Sequence, residues 1–171
     1  LYNTQQSLRH YLHRIKRKTA ILFAISCELG ALVSGADSKD IRYLRAYGYY
    51  IGMAFQLIDD ILDLEGDANV VGKPVGNDLI QGNVTLPVIY ALHYASSEER
   101  IKLSTYLDSQ GSEESLEEVL SMTRRAGGIE FTRKLAQRYI HKAICVTKKL
   151  PECTAQHSLQ WITHFLASRS Y

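Results

Sequence analysis

Three aspartates lie close together in the sequence, at spacings that a helix would place on one side. Asp59, Asp60 and Asp63 occupy positions i, i+1 and i+4 within the segment FQLIDDILD. Apolar residues at helical spacing run beside them, so one side of the helix could pack into a core while the acids stay accessible. That apolar seam consists of Ile51, Phe55, Ile58 and Leu62. The three carboxylates could therefore bind a divalent cation.

The acids are unfavourably placed for the stability of the helix itself. Like charges four positions apart oppose helix formation by roughly 0.2–0.5 kcal/mol per pair, and carboxylates near a helix C-terminus meet the negative end of the macrodipole. We predict that this helix ends at Gly66, which puts Asp60 and Asp63 at the unfavourable end. Bound Mg²⁺ would remove the conflict, because it takes few carboxylates, keeps water molecules and accepts phosphate oxygens. The spacing favours a Mg²⁺ site formed by Asp59, Asp60 and Asp63.

Two simpler interpretations of the acidic cluster stay open. The first is a solvated helix face, although such a face is seldom bordered by an apolar seam and followed at once by a Gly/Lys/Pro loop. The second is a calcium loop that starts at Asp63 with DLEGDAN. That segment lacks the later glycine and the closing glutamate of an EF-hand, which argues against calcium.

A loop rich in glycine and proline is predicted to follow the acidic helix. It covers positions 67–78 and contains Gly72, Pro74 and Gly76. Glycine allows a left-handed backbone and a close approach to phosphate, and Lys73 could swing over a bound phosphate as a lid cation. We expect this loop to be the moving part of the site.

The whole chain is predicted to be all-α. No segment alternates apolar and polar residues over the length of a strand, whereas helical spacing recurs along the sequence. We expect about seven helices, packed as an antiparallel bundle in a single domain of residues 1–171. The first is expected to be one long helix ending near Gly35. Its apolar seam is interrupted by two polar residues and consists of Leu8, Leu12, Ile15, Thr19, Leu22, Ser26, Leu29 and Val33.

The composition is that of an ordinary globular protein. Hydrophobic residues make up 46% and charged residues 22%, and the net charge is only +2. Since no basic run is interleaved with aromatic residues, nucleic acid is not expected as a partner. The sequence has no apolar run long enough to span a bilayer, so we expect at most peripheral membrane contact. Three cysteines without CxxC spacing indicate reduced thiols in a cytoplasmic protein.

The segments that carry the acids and the loop resemble a known family. FQLIDDILD, GKPVGNDL and QGNVTLPVIYAL are similar to the second aspartate-rich motif and downstream loop of the trans-type polyprenyl diphosphate synthases. Within that family the resemblance is strongest to the catalytic subunit of bacterial heptaprenyl and hexaprenyl diphosphate synthases. The similarity extends over all 171 residues but matches only the C-terminal half of such an enzyme. It implies the antiparallel helical bundle of the isoprenoid synthases.

The resemblance also implies roles for particular residues. Lys18 and Thr19 match the family's Lys-Thr dipeptide, which binds the allylic diphosphate, and an ammonium and a hydroxyl on adjacent residues can both reach phosphate oxygens. Without the resemblance, Lys18 would be read as a solvent-facing cation and Thr19 as bonded to a carbonyl one turn earlier. The match adds Gln56 and Lys73 as diphosphate contacts and Asp78 in ordering the loop.

The implied reaction is Mg²⁺-dependent, head-to-tail condensation of isopentenyl diphosphate with an allylic diphosphate. The product would be a polyprenyl diphosphate, a precursor of quinone side chains such as that of menaquinone. The apolar seam, including Phe55, would contact the growing chain. The family also implies a homodimer, or a heteromer with a small regulatory subunit.

Part of the family's machinery has no counterpart in this sequence. There is no further DDxxD-type motif and no counterpart of the Arg-Arg and Lys/Arg/His set that binds isopentenyl diphosphate, both of which lie in the N-terminal half of the family's enzymes. We therefore expect about half an active site, inactive without the missing N-terminal half. The rival interpretation is a non-catalytic diphosphate-binding or regulatory subunit of a heteromeric synthase, and a terpene cyclase is a third.

Overall fold

The computed structural model describes residues 2–65, 75–111 and 115–169, and every regular element among them is helical. The all-α prediction is confirmed for these ranges, none of whose helices is long and apolar enough to cross a membrane. The described ranges contain nine α-helices, two more than the seven expected, because a π-helical turn divides the first predicted helix and because α4 adds a single turn. The helices are α1 Leu8–Ile15, α2 Ile21–Val33, α3 Ser38–Glu65, α4 Asn77–Ile80, α5 Leu86–Tyr94, α6 Ser97–Asp108, α7 Leu116–Arg125, α8 Gly128–Thr147 and α9 Thr154–Ser168, with the π-helical turn at Lys16–Ala20.

Contacts divide the chain into two compact units of opposite charge. One comprises Leu1–Leu12 and Asp59–Arg133, and the other comprises His13–Ile58 and Lys134–Tyr171. We call them the acidic unit and the basic unit. The acidic unit carries 14 Asp and Glu residues and 7 Lys and Arg residues. The basic unit carries 4 Asp and Glu residues and 13 Lys and Arg residues. The single domain over residues 1–171 stays a prediction.

A π-helical turn changes which side of the first helical region is buried. The predicted seam is right at Ile15, which is 2% exposed, but it is wrong further along, since Leu22 is 67% exposed and Val33 is 86% exposed. A π-helical turn holds one residue more than an α-helical turn, so each later residue lies about 100° away from the direction that uninterrupted periodicity predicts. The buried positions after the turn begins are Ala20, Ala24 and Ala31.

Asp37 is the N-cap of helix α3. Asp37 Oδ1 accepts hydrogen bonds from the backbone N–H groups of Lys39, at 2.9 Å, and Asp40, at 2.7 Å. These N–H groups belong to the first turn, where the helix itself offers no acceptor. Asp37 therefore sets the start of the 28-residue helix that carries the aspartates.

Two glycines of α3 let the preceding helical region pack closely against it within the basic unit. A Cβ atom on Gly52 would lie 2.6 Å from Ala20 Cα, and one on Gly48 would overlap the backbone of Phe23. Cβ atoms do not tolerate such distances, so glycine is required at both positions. The close approach lies beside Thr19, whose hydroxyl reaches Gln56 on α3.

We predict that Gly52→Ala lowers the free energy of unfolding by about 1–3 kcal/mol, because the added methyl group must displace the Ala20 backbone. Gly30→Ala is the matched control in α2, where an added Cβ meets no atom within 4 Å. Its higher helix propensity should raise the free energy of unfolding by up to about 1 kcal/mol. Urea denaturation followed by circular dichroism measures both variants, and equal stabilities would contradict this packing.

Candidate functional site

The three aspartates have three different environments. Asp59 is exposed and Asp63 is half-buried, whereas only 2% of Asp60 is exposed. The hydroxyl of Tyr11, which is fully buried, donates to Asp60 Oδ2 at 2.6 Å. Burying a carboxylate is costly unless hydrogen bonds satisfy it, so this bond stabilises Asp60 in its buried position. Asp60 is thus turned away from solvent, unlike the single accessible acidic face that the spacing predicted.

The carboxylate of Asp63 has a raised pKa. Burial is the main reason that its pKa is raised from 3.8 to about 6, and the negative charges of Asp78 and Asp59 raise the pKa further. Backbone N–H groups of Asp78 and Asn77 oppose the shift by donating to the carboxylate. Three acidic side chains therefore repel one another around Asp63 at neutral pH.

The chain returns to Asp63 directly after positions 66–74, which lie outside the described residues. Val75 packs against an apolar cluster that includes Leu64 and Leu120. Gly76, with a left-handed φ of 75°, donates its N–H to the carbonyl of Asp63 at 2.7 Å. The N–H of Asp78 lies 3.3 Å from both carboxylate oxygens of Asp63. These bonds join the start of α4 to the aspartate of α3.

Two arginines lie at the C-terminal end of α3. The guanidinium of Arg124 donates to the carbonyl of Leu64 at 2.7 Å. Arg133 pairs with Glu65 at 2.5 Å and with Glu130 at 3.2 Å. Cations at this end of a helix offset the negative end of the macrodipole. They offset part of the negative charge at the end of α3.

The acidic cluster fits a Mg²⁺ ion by the chemistry of its donors. Across the described ranges, no three His, Cys, Asp or Glu side chains are placed to share one metal ion. Mg²⁺ does not need such a cage, because it binds one or two carboxylates together with water and phosphate oxygens. Asp59 and Asp63 provide hard oxygen donors. A divalent cation would relieve the repulsion from Asp78 and Asp59, which adds to the effect of burial in raising the pKa of Asp63.

In the basic unit, the structure brings Thr19 and Gln56 together. The Thr19 hydroxyl donates to Gln56 Oε1 at 2.9 Å, and Gln56 is only 4% exposed. Thr19 lies in the π-helical turn with Lys18, whose side chain is exposed. Single π-helical turns occur frequently at functional sites. Phe55 packs against Phe23 with ring centroids 5.7 Å apart, which gives this part of α3 an aromatic surface.

The structure describes some of the predicted site residues but not all of them. Lys73 lies outside the described residues, whereas Asp78 is joined to Asp63 as described above. Sequence reasoning missed Tyr11, Arg124 and Arg133, which contact residues on α3 that are 49, 60 and 68 positions away in the sequence. No local spacing signals such contacts, so only the folded chain reveals them.

Comparisons with known proteins agree on one family. The family model described as Polyprenyl synthetase matches residues 2–123. Heptaprenyl diphosphate synthase component 2 of Bacillus subtilis is 44% identical over 170 residues, which cover 99% of this chain and 48% of the relative. This chain thus spans about half the length of the curated relatives it matches.

Solved structures give the same result. The heptaprenyl diphosphate synthase of Staphylococcus aureus matches with a TM-score of 0.86 at 32% identity, over 99% of this chain and 53% of that one. A polyprenyl synthase of Caulobacter crescentus, solved with calcium and isoprenyl diphosphate, matches with a TM-score of 0.90 at 30% identity. That match covers 99% of this chain and 52% of the other.

We predict that Tyr11→Phe lowers the free energy of unfolding by about 1–3 kcal/mol, because a buried carboxylate loses a charge-assisted hydrogen bond. Tyr94→Phe is the control, since Tyr94 is 70% exposed, and it should change stability by less than about 0.5 kcal/mol. Urea denaturation at neutral pH compares the two variants. A similar small effect of both would show that the Tyr11 hydroxyl does not support Asp60.

We predict that Asp63→Asn makes the chain more stable than the wild type at neutral pH, by on the order of 1 kcal/mol for a half-buried, partly screened group. Because the folded pKa of Asp63 is raised to about 6, its unfavourable charge develops as the pH rises from about 4 to about 6. The stability difference should therefore grow over that range and then level off. Thermal unfolding from pH 4 to pH 8 measures it.

The exposed Asp108 supplies the control for that experiment. Asp108→Asn removes the same charge from the acidic unit but does not touch the cluster around Asp63. It should show no comparable rise in relative stability between pH 4 and pH 6. A pH-independent difference for Asp63→Asn would mean that burial and neighbouring charge do not perturb this carboxylate.

Proposed function

Because this chain belongs to the polyprenyl synthetase family, as the resemblance predicted, we propose that it takes part in Mg²⁺-dependent prenyl transfer. The reaction would join isopentenyl diphosphate head to tail to an allylic diphosphate and give a polyprenyl diphosphate, the precursor of a quinone side chain such as that of menaquinone. The observation that carries the proposal is the acidic cluster of Asp59, Asp63 and Asp78, in which the N–H of Asp78 contacts the carboxylate of Asp63 and which lies within the family-matched residues 2–123.

Asp59 and Asp63 would be the direct Mg²⁺ ligands, since they are the exposed and half-buried acids of the cluster. Asp60 would complete the metal-binding set from its buried position, where Tyr11 already orients one of its oxygens. Bound Mg²⁺ would neutralise charge on the departing diphosphate. Asp78 would hold the end of the preceding loop through its N–H contact with Asp63.

The diphosphate would be bound by Lys18, Thr19, Gln56 and Lys73. Lys18 is exposed and could follow the phosphates as charge develops on them. The hydrogen bond from Thr19 to Gln56 would orient both side chains before the ligand arrives, which lowers the entropic cost of binding. Lys73 would act as the lid cation of its loop.

The apolar part of the substrate would contact Phe55, which forms an aromatic pair with Phe23. Aromatic and aliphatic side chains would exclude water from the allylic cation while its bond to the next isoprene unit forms. This requirement follows from the chemistry, because water would otherwise capture the cation.

We further propose that the chain acts with a partner. The sequence has no counterpart of the first aspartate-rich motif, so an N-terminal half carrying that motif would have to contribute it. The words "component 2" in the name of the Bacillus subtilis relative favour a heteromer with a small regulatory subunit over a homodimer. Diphosphate substrates fit a cytoplasmic location.

A non-catalytic diphosphate-binding or regulatory subunit is the second candidate. It is favoured by the basic unit, which by itself offers Lys18, Thr19 and Gln56 to an anion. Such a subunit would bind the diphosphate without needing the aspartates.

The test measures incorporation of labelled isopentenyl diphosphate onto farnesyl diphosphate in Mg²⁺ or in EDTA. It uses this chain alone and this chain mixed with the part of the Bacillus subtilis relative that it does not span. Turnover only in the mixture with Mg²⁺ supports a prenyltransferase that needs both parts. Binding of the diphosphate without turnover in any mixture supports the non-catalytic subunit.

We predict that Asp59→Asn lowers kcat in the active mixture by about 100-fold or more, because it removes charge that holds the metal against the departing diphosphate. Asp108→Asn is the matched control and should retain kcat within about twofold. A titration with Mg²⁺ measures the metal requirement of each variant. Unchanged turnover and Mg²⁺ dependence in Asp59→Asn would refute the metal assignment.

A further inference from the structure

The basic unit contains a cleft that the proposed reaction does not use. It has a volume of about 480 Å³, lies between α2 and α3, and is lined by Lys16, Arg42 and Arg45. Its other wall includes two isoleucines of α2, Ile21 and Ile25. Volumes of this size are typical of small-molecule sites. The cleft thus combines cationic and apolar surfaces that a single ligand could contact together.

The charge around the cleft favours an anion. Three cationic side chains line it and no carboxylate does. Glu28 pairs with Arg45 at 3.0 Å, whereas Arg42 and Lys16 form no ion pair among the described residues. The basic unit as a whole carries 13 Lys and Arg against 4 Asp and Glu, so its field also attracts anions. An anion in the cleft would relieve the repulsion between these cations.

The apolar wall continues along α2 beyond the cleft. Ile21 and Ile25 are 37% and 42% exposed, and further apolar side chains follow at helical spacing. These are Leu29 and Leu32, which are 52% and 58% exposed. A charged head bound at the arginines would therefore have a strip of apolar surface next to it. A ligand with one anionic head and one apolar chain matches both features.

We propose that this cleft binds a prenyl diphosphate, with the diphosphate at Lys16, Arg42 and Arg45 and the isoprenoid chain along α2. The choice of a prenyl diphosphate, among anionic amphiphiles, rests on the function proposed above. The site is separate from the residues assigned to the reaction, because Lys18, Thr19 and Gln56 are not among its lining residues. Since its contacts to the anion come from side-chain cations, it needs no metal.

The test is a calorimetric titration of this chain with farnesyl S-thiolodiphosphate, an unreactive prenyl diphosphate, in EDTA. Chelation silences binding that depends on Mg²⁺, and substitutions in the cleft distinguish it from the anion site proposed at Lys18 and Thr19. Arg42→Gln with Arg45→Gln should weaken binding about 10-fold or more, because two charge-assisted contacts are lost. Lys39→Gln with Lys148→Gln removes the same charge elsewhere on the basic unit and should change the affinity by less than about twofold.

Further ligands test the two halves of the site. Inorganic diphosphate and farnesol should each bind at least about 10-fold more weakly than the amphiphile, because each lacks one half. Ile25→Ser should weaken binding of the amphiphile several-fold but leave inorganic diphosphate unaffected. The proposal would be overturned if inorganic diphosphate or farnesol bound as tightly as the amphiphile, or if the lysine control lost as much affinity as the arginine variant. It would also be overturned if the amphiphile did not bind in EDTA.

Two further measurements distinguish failure of the proposed cleft from failure of the proposed reaction. Phosphatidylglycerol vesicles offer the same chemistry from a membrane lipid, and arginine-dependent binding to vesicles without binding of the monomeric ligand would overturn the proposal. Asp59→Asn should leave the titration in EDTA unchanged while it lowers kcat of the Mg²⁺-dependent turnover by about 100-fold or more. Failure of the proposed reaction therefore appears only in the turnover assay, and failure of the cleft appears only in the titration.

Discussion

The acidic unit depends on how negative charge is tolerated at the C-terminal end of α3. Four acids lie within seven residues there, from Asp59 to Glu65, at the end where the helix dipole is already negative. Several of these charges are stabilised by other parts of the acidic unit: the hydroxyl of Tyr11 donates to Asp60, the amide of Asp78 contacts Asp63, and Arg133 pairs with Glu65. The amide contact to Asp63 does not cancel the effect of burial or of the nearby charges of Asp78 and Asp59, which together keep its pKa raised. A divalent cation placed there would lower the pKa of Asp63 by stabilising its charged form.

Close helix packing plays the corresponding role in the basic unit. Gly48 and Gly52 remove the side chains that would separate the π-helical turn from α3. The backbone of that turn can then lie near enough for Thr19 to donate to the buried Gln56. The same turn moves the apolar residues of α2 round the helix, so that several of them remain exposed beside the cationic cleft. One local irregularity therefore determines both the polar contact and the exposed apolar strip.

Local features were predictable from the sequence and distant contacts were not. The N-cap at Asp37, the helical class and the accessible position of Asp59 depend on residues within one or two turns, where spacing is informative. The burial of Asp60 depends on a tyrosine 49 positions earlier, and no periodicity signals that contact. The exposed seam of α2 was mispredicted for another reason, because one additional residue in a π-helical turn leaves no mark on the amino-acid pattern.

Positive and negative charges are separated along the chain. The net charge of +2 is the sum of an acidic unit with seven excess negative charges and a basic unit with nine excess positive charges. A metal diphosphate has a cationic part, which carboxylates bind, and an anionic part, which lysine, arginine and hydroxyl groups bind. A protein that binds only nucleic acid would gain nothing from the acidic set, and a simple cation-binding protein would gain nothing from the basic one. Under the proposed function, the acidic unit would attract the metal ion and the basic unit would attract the diphosphate.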